Sequence, residues 1–372
     1  MSVNSKKFLN VIFYFVPIAA VIVGGFVLYN FRGRESSIEY VDQFAKGSTM
    51  GTFYSIRIHN FPKNKDWNAF TAEIQKQLDQ IEQKMSLFDP NSEISRFNSS
   101  KSLDWFSVSS DTFQVVRLAL EVSAFSGGAF DITAAPLVNI WGFGVKRKRL
   151  SIDEIINEID KQKINIGYEK LAVQLNPPAI KKTVPELQID LSAIAKGYAV
   201  DVISRFCGEY GVRDYMVEIG GEVCCCGDRG EGNEWRVGIE MPVIIPRGEW
   251  GRIYQIINIK NQSMATSGGN RNFHIIGGKY YSHLIDPRTG LPCLSGNEDD
   301  LVSEEQLASV SVVDKNCARA DALATAFFVL GANEGLKIAN ENHIPVLFLI
   351  RKNKNIRELA SDSFYNTASK SE

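Results

Sequence analysis

The sequence has no excess of positive charge: 41 lysines and arginines stand against 43 aspartates and glutamates in 372 residues. That balance excludes the broad basic field that draws proteins onto nucleic acid, so nucleic acid is not an expected partner. The one local exception, Lys146-Arg147-Lys148-Arg149, is a short basic run of the kind that usually forms a solvated turn. The apolar stretch near the start lacks cysteine, which excludes a bacterial lipoprotein anchor. It also lacks an A-x-A-like end, which argues against a cleavable secretory signal. The six cysteines lack C-x-x-C spacing. Cys224, Cys225 and Cys226 are consecutive, so on a strand they point to alternating faces and read as small apolar packing residues rather than metal ligands. An even count permits disulfides in an exported domain without fixing any pair. Short-period repeats and low-complexity tracts are missing, and histidine is scarce, with four in the chain at 59, 274, 283 and 343.

What is present is the balance of a folded protein, 44% hydrophobic and 23% charged. Residues 8–31 (FLNVIFYFVPIAAVIVGGFVLYNF) are almost wholly apolar, and about 20 such residues cross a bilayer. The expectation is a transmembrane anchor over 8–31 behind a short tail, 1–7, and ahead of a polar linker, 32–46. Lys6 and Lys7 precede the run while Arg32 and Arg34 follow it, so the positive-inside count is close to a tie. The reading adopted is a single-pass inner-membrane protein with its bulk on the periplasmic side.

Beyond the linker, one continuous domain is expected over 47–352, with 353–372 as a frayed polar tail. Thr52 to His59 alternates like a half-buried strand. Phe70, Ile74, Leu78, Ile81 and Met85 recur at helical steps, as do Phe113, Val116 and Leu120. A third helix starts near Ile194 and a fourth near Ala320, the latter carrying Leu323, Phe327 and Leu330 inward. Strands are expected at 215–223, 235–240, 253–259 and 309–313. Strands and helices mix without regular βαβ alternation, which favours an α+β fold of mixed or antiparallel sheets packed with helices.

Four segments combine glycine, acid and hydroxyl residues in ways packing alone does not require. Ser126-Gly-Gly-Ala-Phe-Asp131 lets backbone approach a ligand closely and offers an acid to a heterocycle or ribose; it also reads as a plain turn. In Ile189-Asp-Leu-Ser-Ala-Ile-Ala-Lys-Gly197, Asp190 is either a helix cap or a ligand contact, and Lys196 sits where it can reach a phosphate at a helix N-terminus. Tyr281 to Gly290 embeds His283 among Ser282, Asp286, Arg288 and Thr289, while Asp286 to Gly290 also reads as a tight turn. In Ala320-Asp-Ala-Leu-Ala-Thr325, the acid and hydroxyl are four residues apart on one helical face. They suit an oxygen-liganded ion such as magnesium, or form a polar helix edge.

Taken in order, these segments resemble the FAD:protein FMN transferase (ApbE-like) family, over roughly Gly47 to Ile350. Met50-Gly-Thr52, Met85-Ser86 with Ser95-Arg-Phe-Asn98, Trp141-Gly-Phe143, Ile219-Gly-Gly-Glu222 and Ala265-Thr-Ser-Gly268 carry the likeness further. The resemblance implies a T-fold-like catalytic unit. It implies flavin contacts from Met50, Phe88, Ala129, Phe130, Asp131, Asp190, Lys196 and Ile285. Magnesium ligation by Asp321, Thr325 and the Ala193 carbonyl, and a catalytic His283, are implied as well. FAD is then the substrate, and the partner is a protein bearing an acceptor threonine, such as a subunit of a membrane redox complex. Three departures stand out: Phe88 where the family often has tyrosine, Asn270 in place of an acid, and an inserted stretch over 293–305. An FAD pyrophosphatase and a non-catalytic flavin-binding protein remain the competing readings.

Overall fold

The computed structural model describes residues 40–145, 150–242, 252–269, 272–297, 304–353 and 355–370. The anchor over 8–31, the tail before it, the basic run 146–149 and Asn270 lie outside the described residues. Among the described residues no helix is long and apolar enough to cross a membrane. Residues 42–61 and 66–372 belong to one compact unit; the described residues of the other, 40–41 and 62–65, are a strand end and a turn.

The centre is an eight-stranded sheet whose spatial order follows the chain: β1 (Tyr40–Thr49), β2 (Thr52–Pro62), β3 (Asp214–Ile219), β4 (Glu222–Cys226), β5 (Gln262–Gly268), β6 (Gln306–Asp314), β7 (Val346–Lys352) and β8 (Asn355–Ala360). From β2 onward every neighbouring pair is antiparallel. The fold is therefore α+β, as expected. Alternation along each strand builds two cores. Val310, Val312, Val346 and Phe348 face the helices, whereas Met264, Val313, Leu347 and Leu349 face a second, three-stranded sheet made of Trp235–Glu240, Ile253–Ile259 and Ser369–Lys370. The cysteine run obeys the same rule. Cys225 is buried on the small-sheet side, Cys224 and Cys226 pack on the helical side, and all six cysteines are free thiols.

Four helices matter for the site: α1 (Trp67–Met85), α2 (Ser110–Phe125), α3 (Ala195–Glu209) and α4 (Cys317–Leu330). Helix α1 starts where the Asp66 carboxylate accepts the N–H groups of Asn68 and Ala69, and it buries the five residues its periodicity marks. Helix α4 is apolar nearly all round and is accordingly central, packed on α2, α3, β5 and β6. Gly197 allows that closeness. A β-carbon there would lie 2.4 Å from the Cys317 carbonyl oxygen, so only glycine lets α3 meet α4 at this point.

Three expectations are corrected. The 215–223 run is two strands, because Gly220 and Gly221 adopt φ of 63° and 107° and turn the chain into the β3–β4 hairpin. The domain extends past both expected limits, since β1 begins at Tyr40 within the supposed linker and 355–370 is not frayed. Residues 355–360 form β8, Phe364 is fully buried against the small-sheet core, and Ser369–Lys370 pairs with Asn258 and Ile257. Apolar positions spaced too widely for a helix or strand pattern hid this packing. The start of the 293–305 stretch is structured too, Ser295–Gly296 pairing with Tyr281 and Tyr280.

Candidate active site

A cavity of about 880 Å³ opens where β5, β6, the β3–β4 turn, the start of α3 and the Asp321–Thr325 face of α4 meet. Ten of the twelve expected site residues wall it: Ala129, Phe130, Asp131, Asp190, Ala193, Lys196, His283, Ile285, Asp321 and Thr325. Met50 and Phe88 do not. Met50 donates its N–H to Glu82 Oε2 at 3.0 Å, and Phe88 stands 74% exposed on the loop after α1. Neighbouring Gly51, Thr52 and Phe53 take the wall instead, Phe53 offering the exposed aromatic ring.

At the base of the cavity lies a buried charge cluster. Lys196 Nζ donates to Glu222 Oε1 at 2.8 Å and lies 3.8 Å from Asp321 Oδ2, which accepts the Gly197 N–H at 3.1 Å. Both carboxylates are almost fully buried, and Glu222 Oε2 has no protein partner. Burial pushes the Glu222 carboxyl up to about 7, against the pull of Lys196, with the Asp321 charge adding to the rise. Burial raises Asp321 as well, opposed by Lys196 and the Gly197 N–H. Burial alone would lower Lys196, but the two carboxylates overcome it and hold the ammonium above its ordinary value. With both carboxylates ionised, the one ammonium leaves a deficit of one positive charge, which a bound cation would fill.

The donor set fits magnesium. Asp321 supplies a carboxylate, Thr325 a hydroxyl held 3.0 Å from Ser267 Oγ, and Ala193 a backbone carbonyl at the same wall. The orphaned Glu222 oxygen adds negative charge nearby. Among the described residues no three His, Cys, Asp or Glu side chains gather as metal ligands, so an ion here depends on this mixed oxygen set.

His283 is half-buried, and its Nδ1 lies 3.0 Å from the Asn272 carbonyl. A carbonyl oxygen only accepts, so Nδ1 carries the proton, and in the neutral ring Nε2 keeps its lone pair. Burial lowers this imidazole below its ordinary 6.5, the Asn272 bond opposing and the Lys196 charge assisting. The other acids of the motifs already have protein partners. Asp131, also in the cavity wall, accepts at Oδ1 from both the N–H and hydroxyl of Thr133 and at Oδ2 from the Tyr168 N–H. Asp190 accepts from Ser192, and Asp286 pairs bidentately with Arg288.

The ApbE family is matched over residues 50–348. A Vibrio cholerae protein named FAD:protein FMN transferase is 38% identical over 318 residues, covering 86% of this chain and 90% of the relative. The solved flavin transferase ApbE of Vibrio cholerae superposes with a TM-score of 0.75 at 36% identity, over 88% of this chain and 99% of the other. The Pseudomonas stutzeri flavinyl transferase ApbE gives 0.74 at 29% identity, over 89% and 98%.

The chain belongs to the ApbE family.

Two site members of this ApbE-family chain escaped sequence reasoning. Glu222 follows the paired glycines of the β3–β4 turn, and an acid set directly behind a Gly-Gly turn that the hydrophobic pattern sends inward was the available signal. Ser267, which holds Thr325, sits in the Ala265-Thr-Ser-Gly268 motif, which the sequence singles out without assigning that serine a role.

Proposed function

We propose that this chain splits the pyrophosphate of FAD and transfers the FMN half to a threonine hydroxyl of another protein, releasing AMP, with Mg²⁺ bound beside the pyrophosphate. The observation that carries the reading is one cavity walled by both a buried ammonium between two carboxylates and an imidazole with its Nε2 unprotonated. Its volume, about 880 Å³, is at the upper end for small-molecule sites and suits a dinucleotide. The substrate class comes from the relatives named FAD:protein FMN transferase.

When bound by Asp321, Thr325 and the Ala193 carbonyl, magnesium supplies neutralising charge at the pyrophosphate oxygens. Lys196, kept cationic by Glu222 and Asp321, faces the same oxygens from the first turn of α3. His283 Nε2 takes the proton of the threonine hydroxyl as its oxygen bonds to the FMN phosphorus. The bond from that phosphorus to the bridging oxygen breaks, and AMP departs with that oxygen and its charge. No electron is exchanged. Wall residues Ala129, Phe130, Asp190 and Ile285 enclose the dinucleotide. Residues 8–31 anchor the protein in the inner membrane with the enzyme on the periplasmic side, close to acceptors in membrane redox complexes; the apolar length of the run supports the anchor itself.

The test incubates the detergent-purified full chain with FAD, Mg²⁺ and a membrane extract of the source cell. A flavin-fluorescent band on a denaturing gel together with AMP is the expected result. Free FMN and AMP without a band would make the chain a pyrophosphatase, and unchanged FAD would make it a binding protein. Removing residues 1–34 is expected to shift the protein to the soluble fraction with AMP release intact; retention in the membrane fraction refutes the anchor.

A further inference from the structure

The Trp141-Gly-Phe143 segment does not touch the charge cluster, yet three aromatic rings meet there. Phe143 and His274 are stacked, with centroids 4.3 Å apart and planes 15° from parallel. Phe143 also meets His283 in a T-shaped contact at 6.2 Å and 65°. His274 Nε2 lies 3.2 Å from the Gly142 carbonyl, to which it can only donate, so the backbone carrying Phe143 also fixes the plane of His274. The segment itself is fastened at both ends. Trp141 Nε1 donates to the Gly290 carbonyl at 2.8 Å and its ring packs on Tyr281 at 5.0 Å, while the Phe143 N–H donates to Val138. Gly142, at a φ of 81°, allows the bend between the two rings.

One hydrogen bond, from Nδ1 to Asn272, sets where His283 is tethered but leaves its ring plane soft, because the terminal torsion of histidine is broad. A neighbouring ring in T-shaped contact restricts that torsion. We propose that Phe143 and His274 are positioning residues for His283, a stacked pair set against the imidazole that holds it in its Nδ1–H tautomer with Nε2 directed at the acceptor hydroxyl. This rests on the reading of His283 as the base.

The test labels the full chain with ¹⁵N-histidine, whose four residues give a spectrum simple enough to assign. In wild type and Phe143→Tyr, His283 is expected to show one protonated and one unprotonated nitrogen. In Phe143→Leu the two signals average, kcat for AMP release falls by about 10- to 10²-fold, as for a small misplacement of a catalytic group, and the KM for FAD changes little. His274→Leu, in the half-buried hairpin, moves both readouts the same way but less, and serves if Phe143→Leu does not fold. A fixed tautomer with wild-type kcat in both leucine variants overturns the proposal, as does a raised KM with unchanged kcat, which would make Phe143 a substrate contact. His283→Ala separates the two ideas. If it turns over normally, the base reading falls and the stack with it; if it is slow while Phe143→Leu is not, only the stack falls.

Discussion

Replacing Asp321 with asparagine removes one charge from the cluster while keeping an oxygen where the Gly197 N–H, 3.1 Å away, can still donate. Lys196 Nζ lies 3.8 Å from the Asp321 carboxylate, an attraction of about 4 kcal/mol at an effective dielectric near 20. The carboxylate is 3% exposed, and its desolvation offsets most of that gain. The net stability change expected for Asp321→Asn is therefore small, within about 2 kcal/mol. Metal affinity responds differently. Loss of partners one step removed from a metal weakens binding 10- to 100-fold, so loss of a carboxylate ligand should weaken it by at least about 10²-fold, or roughly 3 kcal/mol. Asp321→Ala should bind Mg²⁺ no better and lose a further ~1–3 kcal/mol of stability, because the Gly197 N–H is then buried without an acceptor. Titrating Mg²⁺ while following AMP release, with FAD affinity by flavin fluorescence and stability by urea unfolding, measures all three quantities. The reasoning predicts a large rise in the Mg²⁺ requirement, nearly unchanged FAD affinity and a modest shift in the urea midpoint for the asparagine variant. A wild-type Mg²⁺ dependence in Asp321→Asn would refute the metal assignment.

Three other outcomes are expected. His283→Ala should slow AMP release by about 10²- to 10⁴-fold, with FAD affinity within a few-fold. Because burial lowers this imidazole, the wild-type rate should stay flat through pH 7 and fall only as pH drops below the ordinary 6.5; an acid limb above that value contradicts the assignment. Asp201 caps α4 by accepting the N–H groups of Cys317 and Ala318 at 2.8 and 2.9 Å, and burial raises its carboxyl to about 6 despite those bonds. Its folded value exceeds the unfolded 3.8, so its contribution is full below that pH and declines as pH rises through about 6. Urea midpoints at pH 4.5 and 7.5 should accordingly differ less in Asp201→Asn than in wild type, and an unchanged difference rejects the linkage. Phe364→Ala, at a fully buried site in the closing segment, should cost about 3–5 kcal/mol in urea unfolding, where a frayed tail would cost almost nothing.

Much of the architecture is legible in local pattern. The five apolar residues of α1 are the five it buries, and the Asp66 cap precedes them. The alternation of Thr52 to His59 reappears in β2, and the even polarity of Cys224, Cys225 and Cys226 is resolved by the two faces of β4. Asp321 and Thr325 share a helical face because four residues make just over one turn, a relation that needs no tertiary knowledge. Where local pattern misleads, the cause is equally specific. The 215–223 run is uniformly strand-like except for two glycines, and only their positive φ converts it into a hairpin. The last residues alternate too weakly to predict β8, which exists because β7 offers it an edge.

The sequence by itself determined the helix faces, the strand alternation, the order of the motifs and the identity of the groups capable of chemistry. These depend on spacing along the chain and on the side chains present. Only the tertiary structure decided which of those groups meet. Lys196 and Glu222 are 26 residues apart, Ser267 and Thr325 are 58 apart, and Gly197 and Asp321 are 124 apart, so no periodic signal links them. It also separated the acids by partner: Asp131 accepts from Thr133 and Tyr168 and Asp286 pairs with Arg288, while Asp321 and Glu222 are buried beside one ammonium. Burial and strand register raise or hold a side chain's proton affinity through the field of distant segments. That field exists only once the sheet has brought those segments together.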